Sequence, residues 1–349
     1  MKIVFATHEG VPLYGGGPDV KIKALTTHLR DLGVDVQLFD MWNAREQLFN
    51  CDLVHLFGAN FAVYNLARNL KYQNIKFVVN PIFYSRRNPK IIRAISRIDL
   101  LTRKVWQGVW WQWGFTRDIC NWSEMVLPNT IAEGKLLRQS YDLPIAKIRV
   151  LHNGVSAHFL NSDPAPFIEK YGLKDFILHV GHLGPARKNV LNLVRALERI
   201  DHPTVLIDRI LQTGETPEIL SAIRKNPNIL FIEGLPNTSE MLASAYAASS
   251  VFVLPSQFET PGRAALEAAL AGAKIVITPH GGTTEYFGDY ATYVNPADVS
   301  DIQCGIETAL QAPKFPDLPQ HIAQHFSWDR IAMDTKAVYN AVLSKTDSK

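Results

Sequence analysis

Two carboxylates, Glu259 and Glu267, and two adjacent cations, Arg187 and Lys188, are the side chains of this sequence whose spacing most suggests chemistry. The acids lie in VFVLPSQFETPGRAALEAALAGAKIVIT. There an apolar run ends at Pro255, a loop brings Glu259, and Thr260 with Pro261 reads as the N-cap and first position of a helix. The helix body, AALEAALAG, has Ala or Leu on nearly every side and is expected to be buried, with Glu267 in its middle. A buried carboxylate without a partner is costly, so Glu267 needs a hydroxyl-rich or basic ligand, or an internal arginine. Eight residues apart, the two acids do not share a helical face; with Glu259 in the preceding loop, both can still reach a ligand at the helix N-terminus. The plainer alternative is one exposed loop acid and one internally paired acid.

Arg187 and Lys188, in ILHVGHLGPARKNVLNLVRAL, stand where a helix begins and with its dipole would form a site for a diphosphate. A solvated loop is the alternative, although cations at a helix N-terminus oppose the macrodipole and need another reason to be there. A third constellation is GVPLYGGGPDV, where Gly15, Gly16 and Gly17 precede a helix starting near Pro18 and would let backbone amides approach an anion; a flexible turn is equally compatible. It is neither Gly-x-Gly-x-x-Gly nor a P-loop, which disfavours a dehydrogenase or a nucleoside triphosphatase.

Short β-branched runs alternating with helical patterns position these groups. Strands are expected at Lys2–Ala6, Asp35–Phe39, Leu53–Leu56, Lys76–Val79 and Met125–Pro128, then at Phe176–Val180, Thr204–Ile207, Ile229–Ile232, Val251–Leu254 and Lys274–Ile277. Such alternation implies parallel sheets with crossover helices, hence an α/β chain of two doubly wound, Rossmann-like domains. We expect an N-terminal domain over 1–155, a C-terminal domain over 156–327 and a closing amphipathic helix over 328–349. A turn-rich linker is expected within HNGVSAHFLNSDPAP. Ligands of open α/β sheets bind beyond the carboxyl ends of strands, so two such rims facing a cleft would hold the substrates.

With 349 residues, 47% hydrophobic and 20% charged, the chain has ordinary globular values that exclude disorder, collagen and coiled coil. Its three cysteines, Cys51, Cys120 and Cys304, are far apart and never Cys-x-x-Cys, so neither a disulfide framework nor a cysteine zinc site is supported, and a reducing compartment fits. No stretch approaches 18 uninterrupted apolar residues and MKIVFATHEG has no signal-like h-region, so a cytoplasmic location is expected. Residues 1–155 carry 20 Lys and Arg against 12 Asp and Glu, whereas the remainder carries 16 against 21. Between Tyr84 and Arg117, Arg86, Arg87, Lys90, Arg93, Arg97, Arg103, Lys104 and Arg117 face only Asp99, and Trp106, Trp110, Trp111 and Trp113 are interleaved. Such a stretch suits an anionic membrane surface, or is a solvated basic helix with its tryptophans turned inward. No nucleic-acid motif accompanies the charge, so nucleic acid is not an expected partner.

The frame PSQFETPGRAALEAALAG, with Glu259 and Glu267, resembles the Glu-x7-Glu signature of the retaining nucleotide-sugar glycosyltransferases of family four, which have the GT-B fold. The Gly-rich loop, LHNGV at Leu151–Val155, VGHLGPARKN, EGLPNTSEMLASAYAASSVFVLPS and a last helix begun by FSWDRIA follow in the same order, so the resemblance covers nearly the whole chain. EYFGDYATYVNP also resembles a subset of these enzymes that build cell-surface glycans. The resemblance implies a hexosyltransferase that moves a hexose or deoxyhexose from a nucleotide diphosphate sugar to a glycan or lipid-linked acceptor by front-face attack, with no metal and no separate cofactor. It implies that Arg187 and Lys188 hold the diphosphate, with Gly262, Arg263 and Ala264 near the donor sugar and phosphate. Glu259 would meet sugar hydroxyls as the catalytic-site acid, Glu267 the ribose and Leu235 the base. Gly16, Gly17 and Asn153 would complete the donor contacts, and the last helix would return to the N-terminal domain. Arg86, Arg87, Arg93, Arg97, Trp110 and Trp111 are the candidate acceptor or membrane surface. Two departures stand out: His182 occupies a position where many relatives carry arginine, and VVNPIFYSRR offers no histidine where many relatives have one. An epimerase or phosphorylase of the same fold, or a non-catalytic sugar-nucleotide-binding partner, are the rival readings.

Overall fold

The computed structural model describes residues 1–14, 16–106 and 110–344, except the side chains of Tyr14 and Lys104. The chain divides into two compact units: Met1–Gly154 together with the segment from Trp328 onward, and Val155–Ser327. The first division thus falls one residue before the expected 155. The residues after it are no linker: Phe159, in the turn Ala157–Phe159, and Phe167, in the helix Ala165–Tyr171, are fully buried in the second unit's core. Two aromatic side chains outweigh the turn signals of Pro164 and Pro166, because burying each is worth on the order of 2 kcal/mol.

In the first unit the strands β1 (Lys2–Ala6), β2 (Asp35–Leu38), β3 (Leu53–Phe57), β4 (Phe77–Asn80) and β5 (Met125–Val126) form one sheet in the order β2-β1-β3-β4-β5. Every pairing is parallel. The central strands are buried on both faces, as their mostly apolar sequences LVHLF and FVVN favour. The helix Gly17–Asp31 buries Ile22, Leu25 and Leu29 at helical spacing. Trp328–Ser344 packs on that helix: Asp329 meets His28 at 2.8 Å, Lys336 donates to the Leu32 carbonyl at 2.7 Å, and the Tyr339 hydroxyl meets His55 Nδ1 at 2.6 Å. The last helix therefore belongs to the first unit, although the second unit precedes it in the chain.

The second unit repeats the architecture with β6 (Phe176–Leu183), β7 (Thr204–Ile210), β8 (Ile229–Glu233), β9 (Ser249–Leu254), β10 (Lys274–Ile277) and β11 (Ala291–Tyr293), in the all-parallel order β11-β10-β9-β6-β7-β8. One core layer gathers Leu178, Phe252 and Leu266; the other gathers Leu193, Leu206, Val253 and Ile306. The edge strand β11 escaped the sequence reading because its three residues are half-buried and make no apolar run.

The helix carrying Glu267 spans Arg263–Leu270 and does not start at Pro261. Gly262, at φ 84° and ψ 68°, is left-handed and cannot lie inside a helix, so Thr260 and Pro261, joined by a cis peptide, stay in the loop. A side chain at Gly262 would also press on Leu254 and Ile277 at 3.1 and 3.2 Å.

Candidate donor site in the second unit

Three loops leave the carboxyl ends of β6, β9 and β10 and are sewn together by backbone. The Gln257 amide donates to the Arg187 carbonyl at 2.8 Å, and the Glu259 amide to the His280 carbonyl at 3.0 Å. Asn189, left-handed at φ 58°, donates through Nδ2 to the carbonyls of Pro255 at 2.9 Å and Pro296 at 2.7 Å. Gly281, at φ 105°, lies so close to the Glu259 backbone that any side chain there would strike its carbonyl oxygen. These contacts fix the Glu259 loop from both flanks, at the strand rim where open α/β sheets bind ligands.

Within this frame Arg187, Lys188 and Glu259 come together. Glu259 is buried, and its Oε1 accepts from Lys188 Nζ at 2.7 Å and from Arg187 at 3.3 Å. Burial alone would raise this carboxyl, but the two cations, with the Lys188 hydrogen bond, hold it below the usual carboxylate range. Arg187 is exposed on one side, donates to the Phe258 carbonyl and lies 5.3 Å from the Phe258 ring centre. Two cations against one acid leave a net positive charge at the mouth of three loops, which suits an anionic ligand.

Glu267 forms a second centre. It is buried, and its Oε1 accepts from Asn237 at 2.8 Å and from Arg263 Nε at 3.1 Å, while Oε2 accepts from the Tyr246 hydroxyl at 2.9 Å. The internal arginine its burial called for is therefore Arg263, one helical turn earlier. Proximity to the carboxylate follows burial in pushing the Tyr246 hydroxyl well above its ordinary value. Gly262 is buried beside Glu259, its Cα directed so that an added Cβ would sit 3.4 Å from that of Glu259; Arg263 and Ala264, half-buried, open the helix. Leu235 is half-buried against the core after β8.

Sequence reasoning missed Asn189, Asn237, Tyr246 and Gly281. The Gly281–Gly282 pair was the one local signal; Asn237 and Tyr246 reach Glu267 from other elements. It also missed a wholly buried pair on neighbouring strands, His179 and Asp208, 3.5 Å apart. His179 also meets the Val253 carbonyl at 2.7 Å. Burial works against its charge, but Asp208 outweighs this and lifts the imidazole above its ordinary range. His182 is held low by burial and then by Lys188, so it brings no charge to the site at neutral pH.

The remaining candidates lie in the first unit. Gly16 is left-handed ahead of the helix that Gly17 opens, Gly15 lies outside the described residues, and Asn153 is half-buried just before the unit boundary. Asn80 is buried and donates to the Leu127 carbonyl, and His55 is buried against Phe57 and Tyr339, so both serve the fold. The basic stretch differs from its expected form. Arg103 and Arg117 are turned inward onto Asp99 and Asp118, and Arg93 and Arg97 both pair with Asp142. Arg93 also donates to the Gln139 carbonyl, so it does not form part of an open cationic surface. Asp118 and Asp142 lie outside the basic run in sequence and are brought onto it by the fold. Arg86, Arg87, Trp110 and Trp111 remain exposed, with Arg87 5.6 Å from the Trp113 ring centre. Among the described residues no group of three His, Cys, Asp or Glu is placed to hold a metal ion, and no helix is long and apolar enough to cross a membrane.

Comparison with known proteins bears on both units. Residues 174–312 match the family described as glycosyl transferases group 1. Among curated proteins, the chain is 26% identical over 215 residues to the O-antigen chain mannosyltransferase B of Escherichia coli, covering 57% of this chain and 56% of that protein. It is 23% identical over 323 residues to the sulfoquinovosyl transferase SQD2 of Arabidopsis thaliana, covering 88% and 60%. The matches thus span little more than half the length of these curated relatives. Among solved structures, sucrose-phosphate synthase from Thermosynechococcus elongatus aligns with TM-score 0.76 at 16% identity over 99% of both chains. Anabaena HepE in complex with UDP aligns with TM-score 0.72 at 15% identity, over 98% of this chain and 100% of that one. Residues 174–312 are thus similar to the glycosyl transferases of group 1, and the two parallel-sheet units match solved structures of the GT-B fold.

Proposed function

We propose that this protein is a retaining glycosyltransferase. It moves a hexose or deoxyhexose from a nucleotide diphosphate sugar to a glycan or lipid-linked glycan in cell-surface polysaccharide synthesis, as a peripheral enzyme of the inner membrane face. The observation that carries the reading is the convergence of Arg187, Lys188 and Glu259 on one strand rim beside the helix Arg263–Leu270. On donor binding, the diphosphate takes over the cations that Glu259 now holds. The freed Glu259 carboxylate then accepts hydrogen bonds from sugar hydroxyls. Glu267 turns toward the ribose hydroxyls, exchanging part of its bonding to Asn237 and Arg263.

In the transfer, the bond from the anomeric carbon to the diphosphate oxygen breaks while a bond to the acceptor oxygen forms on the same face. The acceptor hydroxyl proton passes to the departing phosphate oxygen. Lys188 and Arg187 stabilise the charge that develops there, and the protein supplies position and field with no covalent partner. One observation favours a binding partner without turnover: Glu259 and Glu267 both already hold protein partners.

Incubation with a panel of nucleotide diphosphate sugars and glycan acceptors, followed by NMR of the product, separates the readings. We expect net retention at the anomeric carbon, and loss of turnover by about 100-fold or more in Lys188→Ala and Glu259→Gln. An inverted product, or undiminished turnover in Lys188→Ala, would overturn the proposal; donor binding without any consumption would establish the inert partner instead.

A further inference from the structure

The helix Pro89–Val105 has an apolar face that no described residue of its own unit covers. Its inward side buries Ile92, Ser96 and Asp99 against the helices Gln112–Trp122 and Ile131–Tyr141. Its outward side presents Ile91, Ile98, Leu101 and Val105, with relative exposures of 49, 49, 64 and 74%, and Ala94 is exposed between them. The spacings of three, four, three and four residues align all five on one stripe of the helix. Trp106, 62% exposed, continues the stripe past the helix end. An exposed apolar run of this kind along one helix marks a surface that is covered in use.

Charge shows what covers it. Lys90 and Arg97, seven residues apart, lie together along one side of the stripe and both are exposed; Arg97 shares Asp142 with Arg93, so two cations face that one acid, and Lys90 has none beside it on the helix. Arg86 and Arg87 are exposed just before the helix begins. Asp99, the one acid of the helix, is turned wholly inward. An apolar stripe, an edge of cations and tryptophan at the rim together match the headgroup and acyl boundary of an anionic bilayer, in which such a helix lies flat.

We infer that this face of the first unit docks the protein on anionic membrane, with Ile98, Leu101, Val105 and Trp106 entering the interface and Lys90, Arg86 and Arg87 meeting lipid phosphates. The inference rests on the peripheral location proposed above and gives it a surface; because that surface is separate from the donor-site residues, docking is tested without the transfer reaction.

The test is co-sedimentation of the full chain with vesicles of phosphatidylcholine alone and of an equal mixture with phosphatidylglycerol, at low and high salt, without any substrate. Binding is expected to the anionic vesicles only, weakening with salt. Leu101→Ser with Val105→Ser should abolish it, and Lys90→Ala should weaken it by roughly fivefold. The serine variant changes only exposed positions, and an unaltered thermal transition shows that its fold is intact. Equal binding to both vesicles, or to neither, would overturn the inference. So would a lipid-free dimer that the serine variant dissociates, which would make the stripe an interface between copies of the chain.

Discussion

Glu267 shows how one side chain can serve fold and ligand together. Its three protein partners, Asn237, Tyr246 and Arg263, compensate a carboxylate that the alanine-rich helix would otherwise bury alone. Glu267→Leu removes the acceptor of the buried Tyr246 hydroxyl and the carboxylate partner of Arg263 Nε, and should cost about 3 kcal/mol in urea unfolding. Glu267→Gln keeps an acceptor for both and should cost less than half as much while still weakening nucleotide binding. Equal costs for the two variants would mean that charge is the only quantity that matters there. A second residue, Lys21, gives a pH signature. It is buried, donates to Asn129 Oδ1 at 2.6 Å, and is lowered by burial to about 7, with Glu133 pulling the other way. The unfolded lysine, near 10.5, holds its proton over a range where the folded one has lost it. Stability should therefore rise with pH between about 7 and 10.5. Lys21→Met should flatten that rise in denaturant titrations at several pH values; a rise of the same size in the variant would show that another group titrates.

The elements divide into those that local sequence dictates and those that it does not. The β-branched runs of β3, β6, β9 and β10 announce buried parallel strands, and their ends mark the loops in which Arg187, Lys188 and Glu259 sit. Less legible were features that depend on partners distant in sequence. The helix at Arg263 begins late because Gly262 fits a space bounded by Leu254 and Ile277, and the cations of the basic stretch are offset by Asp118 and Asp142. The segment HNGVSAHFLNSDPAP reads as a linker in sequence, yet Phe159 within it is buried in the second unit's core. Gly281 is the element-scale feature with the clearest consequence. Alanine there is strained at φ 105° and collides with the Glu259 carbonyl, so Gly281→Ala should lower stability by about 2 kcal/mol or more and weaken donor binding with it. Thermal unfolding with and without nucleotide measures both; a variant that unfolds and binds like the parent would mean that the β10 loop does not hold the Glu259 loop.

At the scale of the molecule, two parallel-sheet units carry different charge and different surfaces. The acidic second unit nevertheless gathers Arg187 and Lys188 at one strand rim, while the basic first unit offers an apolar helix edged by cations. The central claim is that the rim of the second unit binds a nucleoside diphosphate and its sugar. Thermal shift of the whole protein against UDP, GDP, ADP, CMP and dTDP tests it most directly, repeated with Lys188→Ala. At about 100 times its dissociation constant, one nucleotide should stabilise the parent by about 2.7 kcal/mol and leave the variant unmoved at the same concentration. No shift from any nucleotide, or an equal shift in the variant, would contradict the claim.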